Sequence, residues 1–225
     1  MKILIVAATT SEIRPAMEKL NFSGENGRIM HHLYKNHQVD ILITGIGMVA
    51  TSYHVAKTLM AKKYDLAVNA GICGAFHPHL HIGEVVNVAR DCFPELGAEN
   101  KNEFLTVFEL GLEDPSEFPY QDGMIENKSW KTLTGIINLP EVTGVTANTV
   151  HGNKTSIEKL TSRFHPQTES MEGAAFLYVC LMEKIPCLQL RAVSNFVEER
   201  DKPGWNIELA LKNLNKTLIE LLNKL

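Results

Sequence analysis

The sequence has no cluster of lysine and arginine and no long apolar stretch, and each absence excludes a class of function. Its 225 residues include 22 Lys+Arg and 26 Asp+Glu, which gives a formal net charge of −4. Proteins that bind nucleic acid or anionic membranes need a concentrated basic surface, so we expect neither partner. No apolar run approaches the roughly 20 residues that span a bilayer, so we expect no transmembrane helix.

Cysteine is also scarce, and its spacing is irregular. The chain has four cysteines, Cys73, Cys92, Cys180 and Cys187, with no C-x-x-C pair among them. That pattern fits neither a disulfide framework nor a zinc site. The apolar run Ile3–Ala8 is too short for a signal peptide and precedes no processing signature. We therefore predict free thiols and a cytoplasmic location.

The chain shows no internal repeat, low-complexity tract or flexible linker, so we predict a single domain over residues 1–225. Short apolar runs, typical of buried strands, alternate with segments of helical period. The predicted strands are Ile3–Ala8, Val39–Thr44, Leu66–Ala70 and Cys187–Val193, and the predicted helices are Val49–Lys62, Met171–Met182 and Ile207–Leu222. This alternation predicts an α/β fold with a largely parallel central sheet.

One segment, Glu95–Glu126, has poor periodicity, follows Pro94, and contains Pro115, Pro119 and several acidic residues. This composition predicts an insertion or a long loop, and it leaves open whether the segment covers a site.

Ligands of open α/β sheets bind beyond the carboxyl ends of the strands. The segments that follow the predicted strands are Thr9–Glu12, Gly45–Gly47, Gly71–Gly74 and Ser194–Asn195. We predict that these four turns converge on one cleft.

The glycines Gly45 and Gly47 lie between a predicted strand and a predicted helix, as they do in dinucleotide-binding fingerprints. The ribose-binding acid of that fingerprint should end the next strand, whereas Asp65 precedes it. Tight packing of the strand on the helix explains the glycines without a nicotinamide or flavin cofactor.

Three histidines, His77, His79 and His81, alternate in a way that would place their rings on one face of a strand as metal ligands. Pro78 disfavours a regular strand at this point. We expect these histidines to lie in a loop or a subunit contact, and we expect no metal.

Two glutamates are candidates for acid-base or binding chemistry, and each has a structural alternative. Glu12 follows a predicted strand, where a general base is well placed, but Thr9-x-x-Glu12 is also a capping box. Glu172 lies in the first turn of a predicted helix, where the helix dipole favours an acid without any function. Cys73 is a possible nucleophile, but no basic residue adjoins it, and a small buried side chain is the simpler interpretation.

Taken together, five segments resemble the nucleoside phosphorylase superfamily, which includes the methylthioadenosine/S-adenosylhomocysteine nucleosidases. They are Met1–Glu12, Thr44–Gly47, Asn69–Ala75, Glu169–Ala175 and Arg191–Asn195. Within that superfamily, Val145–Gly152 and Ser194–Trp205 are similar to futalosine hydrolases. The resemblance implies a three-layer α/β sandwich around a mixed, largely parallel, partly barrel-like sheet.

The resemblance also implies roles for the candidate residues. Glu172 would bind the ribose hydroxyls, Met171 would pack against the sugar, and Glu12 would orient and deprotonate the attacking water. Asn195 stands where adenine-releasing nucleosidases have an aspartate. Its amide can donate to the O6 of a 6-oxopurine and accept from N7–H, which favours hypoxanthine over adenine as the leaving group.

Further binding residues follow from the same resemblance. They are Gly47, Cys73, Gly74, Asn148, Thr149 and Ser194, with Arg200 for the carboxylate of the substrate tail. The phosphate-holding Arg and Ser of the phosphorylases are replaced by Asn69 and Ile72, so water is the expected nucleophile. Arg14 leaves phosphate use open.

The resulting expectation is a cofactor-independent N-ribosyl hydrolase that releases hypoxanthine from futalosine in menaquinone biosynthesis. A nucleosidase or phosphorylase acting on inosine or 5′-methylthioadenosine is the enzymatic alternative. A nucleoside-binding protein without catalysis is the other alternative, and the presence of both Glu12 and Glu172 argues against it. The superfamily implies a homodimer or a higher homo-oligomer.

Overall fold

Strands and helices alternate along most of the chain in the computed structural model, which describes residues 1–22, 27–76, 79–101, 103–133, 135–199 and 204–225. The strands are β1 (Lys2–Ala7), β2 (Ile29–Tyr34), β3 (His37–Ile43), β4 (Leu66–Ala75), β5 (Val85–Asp91), β6 (Gly97–Asn100), β7 (Glu103–Thr106), β8 (Tyr120–Gln121), β9 (Met124–Glu126), β10 (Glu141–Thr146), β11 (Thr168–Ser170) and β12 (Cys187–Phe196). The helices are α1 (Thr10–Lys19), α2 (Met48–Ala61), α3 (Lys154–Phe164), α4 (Gly173–Met182) and α5 (Ile207–Lys224), with a 3₁₀ helix at Ser129–Leu133.

The main sheet closes on itself at one end. Its strand order is β2-β3-β1-β4-β11-β10-β5-β9-β8, and β12 pairs with both β4 and β5. Strands β4, β11, β10, β5 and β12 therefore form a ring of five, a small barrel, while β1, β3 and β2 extend from it as an open sheet. Parallel pairs join β1 to β3 and β4, and β12 to β4, whereas β2, β9 and one side of β12 pair antiparallel. The predicted mixed, partly barrel-like sheet is confirmed.

Helices cover both faces of the open sheet, which gives the predicted three layers. Along β1, Ile3 and Ile5 belong to a core shared with α1 and α5, and Leu4 and Val6 belong to a second core shared with α2 and α4. Successive side chains of a strand point to opposite faces, so a continuous apolar run is what a strand with helices on both sides requires. Each fully buried side chain of this size contributes about 1.5–3 kcal/mol.

Two of the predicted turns are wrong. Gly71–Gly74 and Ser194–Asn195 lie inside β4 and β12, which run on to Ala75 and Phe196. The strands extend because they pair with each other past the open sheet, with Asn195 opposite Gly74 in the barrel. The convergence of these segments is nevertheless observed, since they form adjacent strands of the same wall.

The segment Glu95–Glu126 contains regular structure where the sequence predicts a loop or an insertion. Strands β6 and β7 form an antiparallel hairpin, and β8 and β9 form another that joins the main sheet at β5. The segment contributes to a cavity of about 530 Å³ together with Arg163 and Phe164 at the end of α3.

Among the described residues, no helix combines the length and the apolar character needed to cross a membrane.

Candidate active site

A cavity of about 270 Å³ lies where β1, β4, β11 and β12 meet the first turns of α1, α4 and α5. Seven of the residues predicted to act on the substrate line it. They are Glu12, Cys73, Gly74, Met171, Glu172, Ser194 and Asn195.

Glu12 performs the structural role and also reaches the cavity. Its Oε2 accepts hydrogen bonds from the backbone N and the hydroxyl of Thr9 at 2.8 and 3.2 Å, which completes the capping box of α1. Its Oε1 lies 3.4 Å from the backbone N of Ile72. Burial raises the pKa of Glu12 above its ordinary value, with Glu172 adding to the rise, while Arg191 and Thr9 oppose it. A carboxylate in this environment is a stronger base than one in water.

Arg191 brings a buried positive charge to the Glu12 side of the site. Its Nη2 donates to Asn69 and its Nε donates to Gln189 at 3.2 Å. A Cβ at Gly71 would lie 2.0 Å from Nη1 of Arg191 and 3.0 Å from Oε1 of Glu12. The guanidinium and the carboxylate therefore both pack against the bare backbone of Gly71, so only glycine leaves room for them there.

The carboxylate of Glu172 bonds to the N-terminus of α2 and not to that of α4, the helix that Glu172 itself precedes. Its Oε1 accepts a hydrogen bond of 3.0 Å from the backbone N of Gly47, which precedes α2. Gly47 has φ of +92°, a conformation that favours glycine. The α2 N-terminus adds a favourable dipole. No partner within the described part of the chain occupies the other oxygen, Oε2.

Asn195 owes its direction to an irregularity in β12. The pairing of β12 with β4 shifts register between Val193 and Asn195, and such bulges re-aim side chains near active sites. The Oδ1 of Asn195 accepts from the Ser194 hydroxyl at 2.8 Å, and its Nδ2 donates to the carbonyl of Phe196 at 2.9 Å. One amide hydrogen and one oxygen lone pair are left for a ligand.

Cys73 is a wall residue and not an ionised thiol. Burial raises the pKa of the Cys73 thiol to about 12, so the side chain is protonated at neutral pH, in agreement with its interpretation as a small buried residue.

The residues considered for phosphate binding, which are Asn69, Ile72 and Arg14, have three different environments. Asn69 is buried, and its amide is occupied at both ends, by the carbonyl of Val6 and by Arg191. Ile72 lines the cavity with an apolar side chain. Arg14 is exposed on α1 and is not part of the cavity lining.

Three predicted residues that the structure describes lie apart from the cavity lining. Gly47 contacts the site through Glu172. Asn148 is exposed, with its Oδ1 accepting from the backbone N of Met48 at 3.3 Å, and Thr149 is exposed beside it. Arg200 lies outside the described residues, so its role stays a prediction.

The histidine metal site also stays untested, because His77 lies outside the described residues. Among the residues that the structure describes, no group of three or more His, Cys, Asp or Glu side chains is arranged to hold a metal ion.

Sequence reasoning missed Arg191, which packs beside Glu12 at Gly71, and several residues of the cavity lining. Arg191 and Glu169 lie within the motifs that carry the superfamily resemblance, but a buried arginine and a second acid near Glu172 have no local pattern that reveals their neighbours. Val150, Ile207 and Leu211 are also part of the lining. Ile207 and Leu211 belong to the apolar face predicted for the last helix, so whether they reach a cavity depends on how that helix packs against the sheet.

Comparison with known proteins identifies the family. The profile of the phosphorylase superfamily matches residues 2–223. The chain belongs to this superfamily.

Individual relatives refine the placement. The chain is 32% identical over 189 residues to futalosine hydrolase from Streptomyces coelicolor, covering 81% of this chain and 77% of the relative. It is 26% identical over 249 residues to 5′-methylthioadenosine/S-adenosylhomocysteine nucleosidase from Tolumonas auensis, with full coverage of both. The structure of futalosine hydrolase from Helicobacter pylori superimposes with a TM-score of 0.83 at 20% identity, covering 100% of this chain and 98% of that one.

These comparisons confirm the predicted superfamily, and the relatives place the chain among the N-glycosyl hydrolases. The likeness to the Helicobacter pylori structure confirms the fold alone.

Proposed function

We propose that this enzyme uses water to cleave the N-glycosidic bond of futalosine and releases hypoxanthine. The observation that carries the proposal is the carboxamide of Asn195, which faces the cavity and is held in one orientation. The Streptomyces coelicolor relative, named futalosine hydrolase, supports the choice of substrate.

Asn195 matches the O6 and N7 edge of a 6-oxopurine. The carbonyl of Phe196 accepts from Nδ2, so the amide cannot exchange its two ends without placing Oδ1 against a second acceptor. The free N–H then donates to the O6 carbonyl, and the remaining lone pair of Oδ1 accepts from N7–H as the base departs. Adenine would present an amino group to the amide N–H instead, which costs on the order of 1–3 kcal/mol.

Glu172 and Glu12 serve the sugar side of the reaction. The second oxygen of Glu172 accepts from the ribose hydroxyls, and its negative charge stabilises the positive charge that develops on the sugar. Glu12 takes a proton from water on the face of the sugar opposite the base. Arg191 offsets part of the cost of keeping that carboxylate ionised in a buried place.

Water is the proposed nucleophile because the cavity offers little to a phosphate dianion. The amide of Asn69 is committed to protein partners, Ile72 is apolar, and Arg14 lies away from the lining. Arg191 is already bonded to Gln189 and Asn69.

The tail of futalosine is an aromatic ketone with a carboxylate, and one end of the cavity suits its apolar part. Ile46, Trp205, Ile207 and Leu211 line that end, and Ile46 and Ile207 are exposed. Arg200 follows from the family resemblance as the carboxylate partner. An Arg200→Ala enzyme with unchanged kcat/KM for futalosine would rule this out.

A nucleosidase acting on another purine nucleoside is the second candidate. The relative from Tolumonas auensis, a 5′-methylthioadenosine/S-adenosylhomocysteine nucleosidase, aligns over the full chain. The apolar end of the cavity would also accept a methylthio group, so the base preference decides between the two.

The deciding experiment measures purine release by chromatography from futalosine, its 6-amino analogue, inosine and 5′-methylthioadenosine, each with and without phosphate. We expect hypoxanthine from futalosine, with no effect of phosphate. Preferred release of adenine would overturn the assignment of Asn195, and a requirement for phosphate would move the enzyme to the phosphorylases, with Arg14 as the next residue to test.

Two further expectations belong to the same proposal. Exposed apolar residues just before α2 and in its first turns, Ile46, Val49 and Tyr53, favour the pairing of two copies of the chain, which sedimentation equilibrium of the wild type and of Val49→Glu would test. The described cysteines are free and buried, which supports a cytoplasmic location, and fractionation of cells checks it.

A further inference from the structure

A second buried acid faces the cavity beside Asn195. Glu169 lies in β11, is 4% exposed and lines the same cavity. Strand β4 separates it from Asn195, and both residues are the register partners of Gly74, one from each side. Register partners in a sheet point to the same face, so the two side chains stand on either side of Gly74 on the same wall.

Gly74 lets neighbouring side chains pack directly against the backbone between Glu169 and Asn195. Neighbouring strands are about 4.8 Å apart, so the α-carbons of Glu169 and Asn195 are separated by roughly twice that distance. A Cβ at Gly74 would lie 3.4 Å from Nδ2 of Asn195 and 2.6 Å from Val197. The wall therefore presents an amide and a carboxyl group to the same cavity, one on each side of a glycine against which Val197 packs.

His151 binds both carboxylate oxygens of Glu169. The ring Nδ1 of His151 bonds to Oε2 of Glu169, and the backbone N of His151 donates to Oε1 at 3.0 Å. The hydrogen bond to Glu169 raises the pKa of His151, so the charged imidazole is favoured beside the carboxylate. A carboxylate has no proton to donate and accepts through the lone pairs that His151 leaves free.

We propose that Glu169 accepts the N1–H of a 6-oxopurine and, with Asn195, sets the base specificity of the enzyme. This inference rests on the proposed function. Hypoxanthine presents adjacent O6 and N1–H groups, an acceptor followed by a donor, and the wall presents the complementary donor of Asn195 and acceptor of Glu169. Adenine presents a lone pair at N1, which a carboxylate repels.

Glu169→Gln tests the proposal, because the glutamine amide is uncharged and can turn its NH₂ group toward N1 of adenine. We expect kcat/KM for futalosine to fall at least about tenfold, and kcat/KM for the 6-amino analogue to hold or rise. Glu141→Gln, an exposed change on β10, is the control and should leave both values unchanged. If Glu169 has a purely structural role through His151, the variant should have kcat/KM lowered by the same factor for both substrates. That result overturns the proposal.

Binding of the free bases separates this inference from the choice of substrate. Wild type should bind hypoxanthine more tightly than adenine in calorimetry, and Glu169→Gln should lose that preference. If futalosine proves not to be the substrate while this loss is observed, Glu169 keeps its role and only the proposed substrate is wrong. Equal loss of affinity for both bases would overturn the role of Glu169 whatever the substrate.

One measurement needs no variant and guards against a failure of Glu169→Gln to fold. The base 1-methylhypoxanthine keeps O6 but lacks the N1–H. Wild type should bind it at least about tenfold more weakly than hypoxanthine, and equal affinity would overturn the proposal.

Discussion

At the scale of single residues, Glu12 shows how one carboxylate can belong to the fold and to the site at once. Its Oε2 closes the capping box with Thr9, and its Oε1 lies between Ile72 and Arg191. The cap fixes the side-chain rotamer, so the second oxygen reaches the cavity already oriented. The structural and the catalytic interpretations of Glu12 are therefore compatible.

Glu12→Gln should abolish turnover while leaving purine binding nearly intact. A glutamine can still accept from Thr9, but it cannot take a proton from water, and the loss of a general base lowers kcat by about 10²- to 10⁴-fold. Steady-state kinetics and calorimetry with hypoxanthine measure the two effects. Glu18→Gln, an exposed change on the same helix, is the control, and normal turnover by Glu12→Gln would show that another group activates the water.

At the scale of elements, the start of α5 connects helix capping to the cavity. The Oδ1 of Asn206 accepts from the backbone N of Leu209 at 3.1 Å. The first turn of this helix places Ile207 and Leu211 in the cavity wall. Helix α3 has an equivalent cap, Asn153 to Ser156, but contributes no residue to that wall.

Asn206→Ala and Asn153→Ala form a matched pair. Each loses one cap and should lower the free energy of unfolding by about 0.5–2 kcal/mol, measured by urea denaturation. Only Asn206→Ala should also raise KM, severalfold, because the first turn of α5 then frays beside the place proposed for the substrate tail. Equal KM values for the two variants would show that this turn does not hold the tail.

The sequence predicts the elements whose signal is local and misses what depends on distant pairing. The apolar runs of β1 and β3 and the amphipathic α5 are visible because burial on a fixed face sets their period. The ends of β4 and β12 are not visible in the sequence, since Gly74 and Asn195 become strand residues only when the barrel closes. Glu172 is predictable from its motif, whereas its bond to Gly47 joins residues 125 positions apart.

At the scale of the whole molecule, a polar network inside the barrel links the site to the stability of the fold. Asp91 is buried and accepts from Gln189, Thr146 and the backbone of Cys92, and Gln189 in turn accepts from Arg191. Burial raises the pKa of Asp91 from 3.8 to about 6. The folded state therefore binds a proton more tightly than the unfolded state does.

The organisation of residues 1–225 as a single domain stays a prediction.

Asp91→Asn should reveal the free-energy cost of burying the ionised Asp91 carboxylate, as a pH-dependent difference in unfolding free energy from wild type. Because the folded pKa is raised, Asp91 lowers stability as pH rises from 3.8 to about 6, and the penalty is complete above that range. The difference in unfolding free energy between variant and wild type should move in favour of the variant by about 2 kcal/mol between pH 4 and pH 8. Urea denaturation across this range measures it, with the exposed Asp114→Asn as control, and a flat difference for Asp91→Asn would contradict the account.

The arrangement of the cavity also orders the departure of the two products. Asn195 and Glu169 are buried at its base, whereas Ile46 and Ile207 are exposed at its mouth. In the proposed binding mode the base lies against Asn195 and Glu169 and the tail of the sugar fragment lies at the exposed mouth, so the sugar fragment leaves first and the purine leaves last. The free purine would then compete with the next substrate molecule, and the flux through this enzyme would depend on how quickly the cell salvages the base.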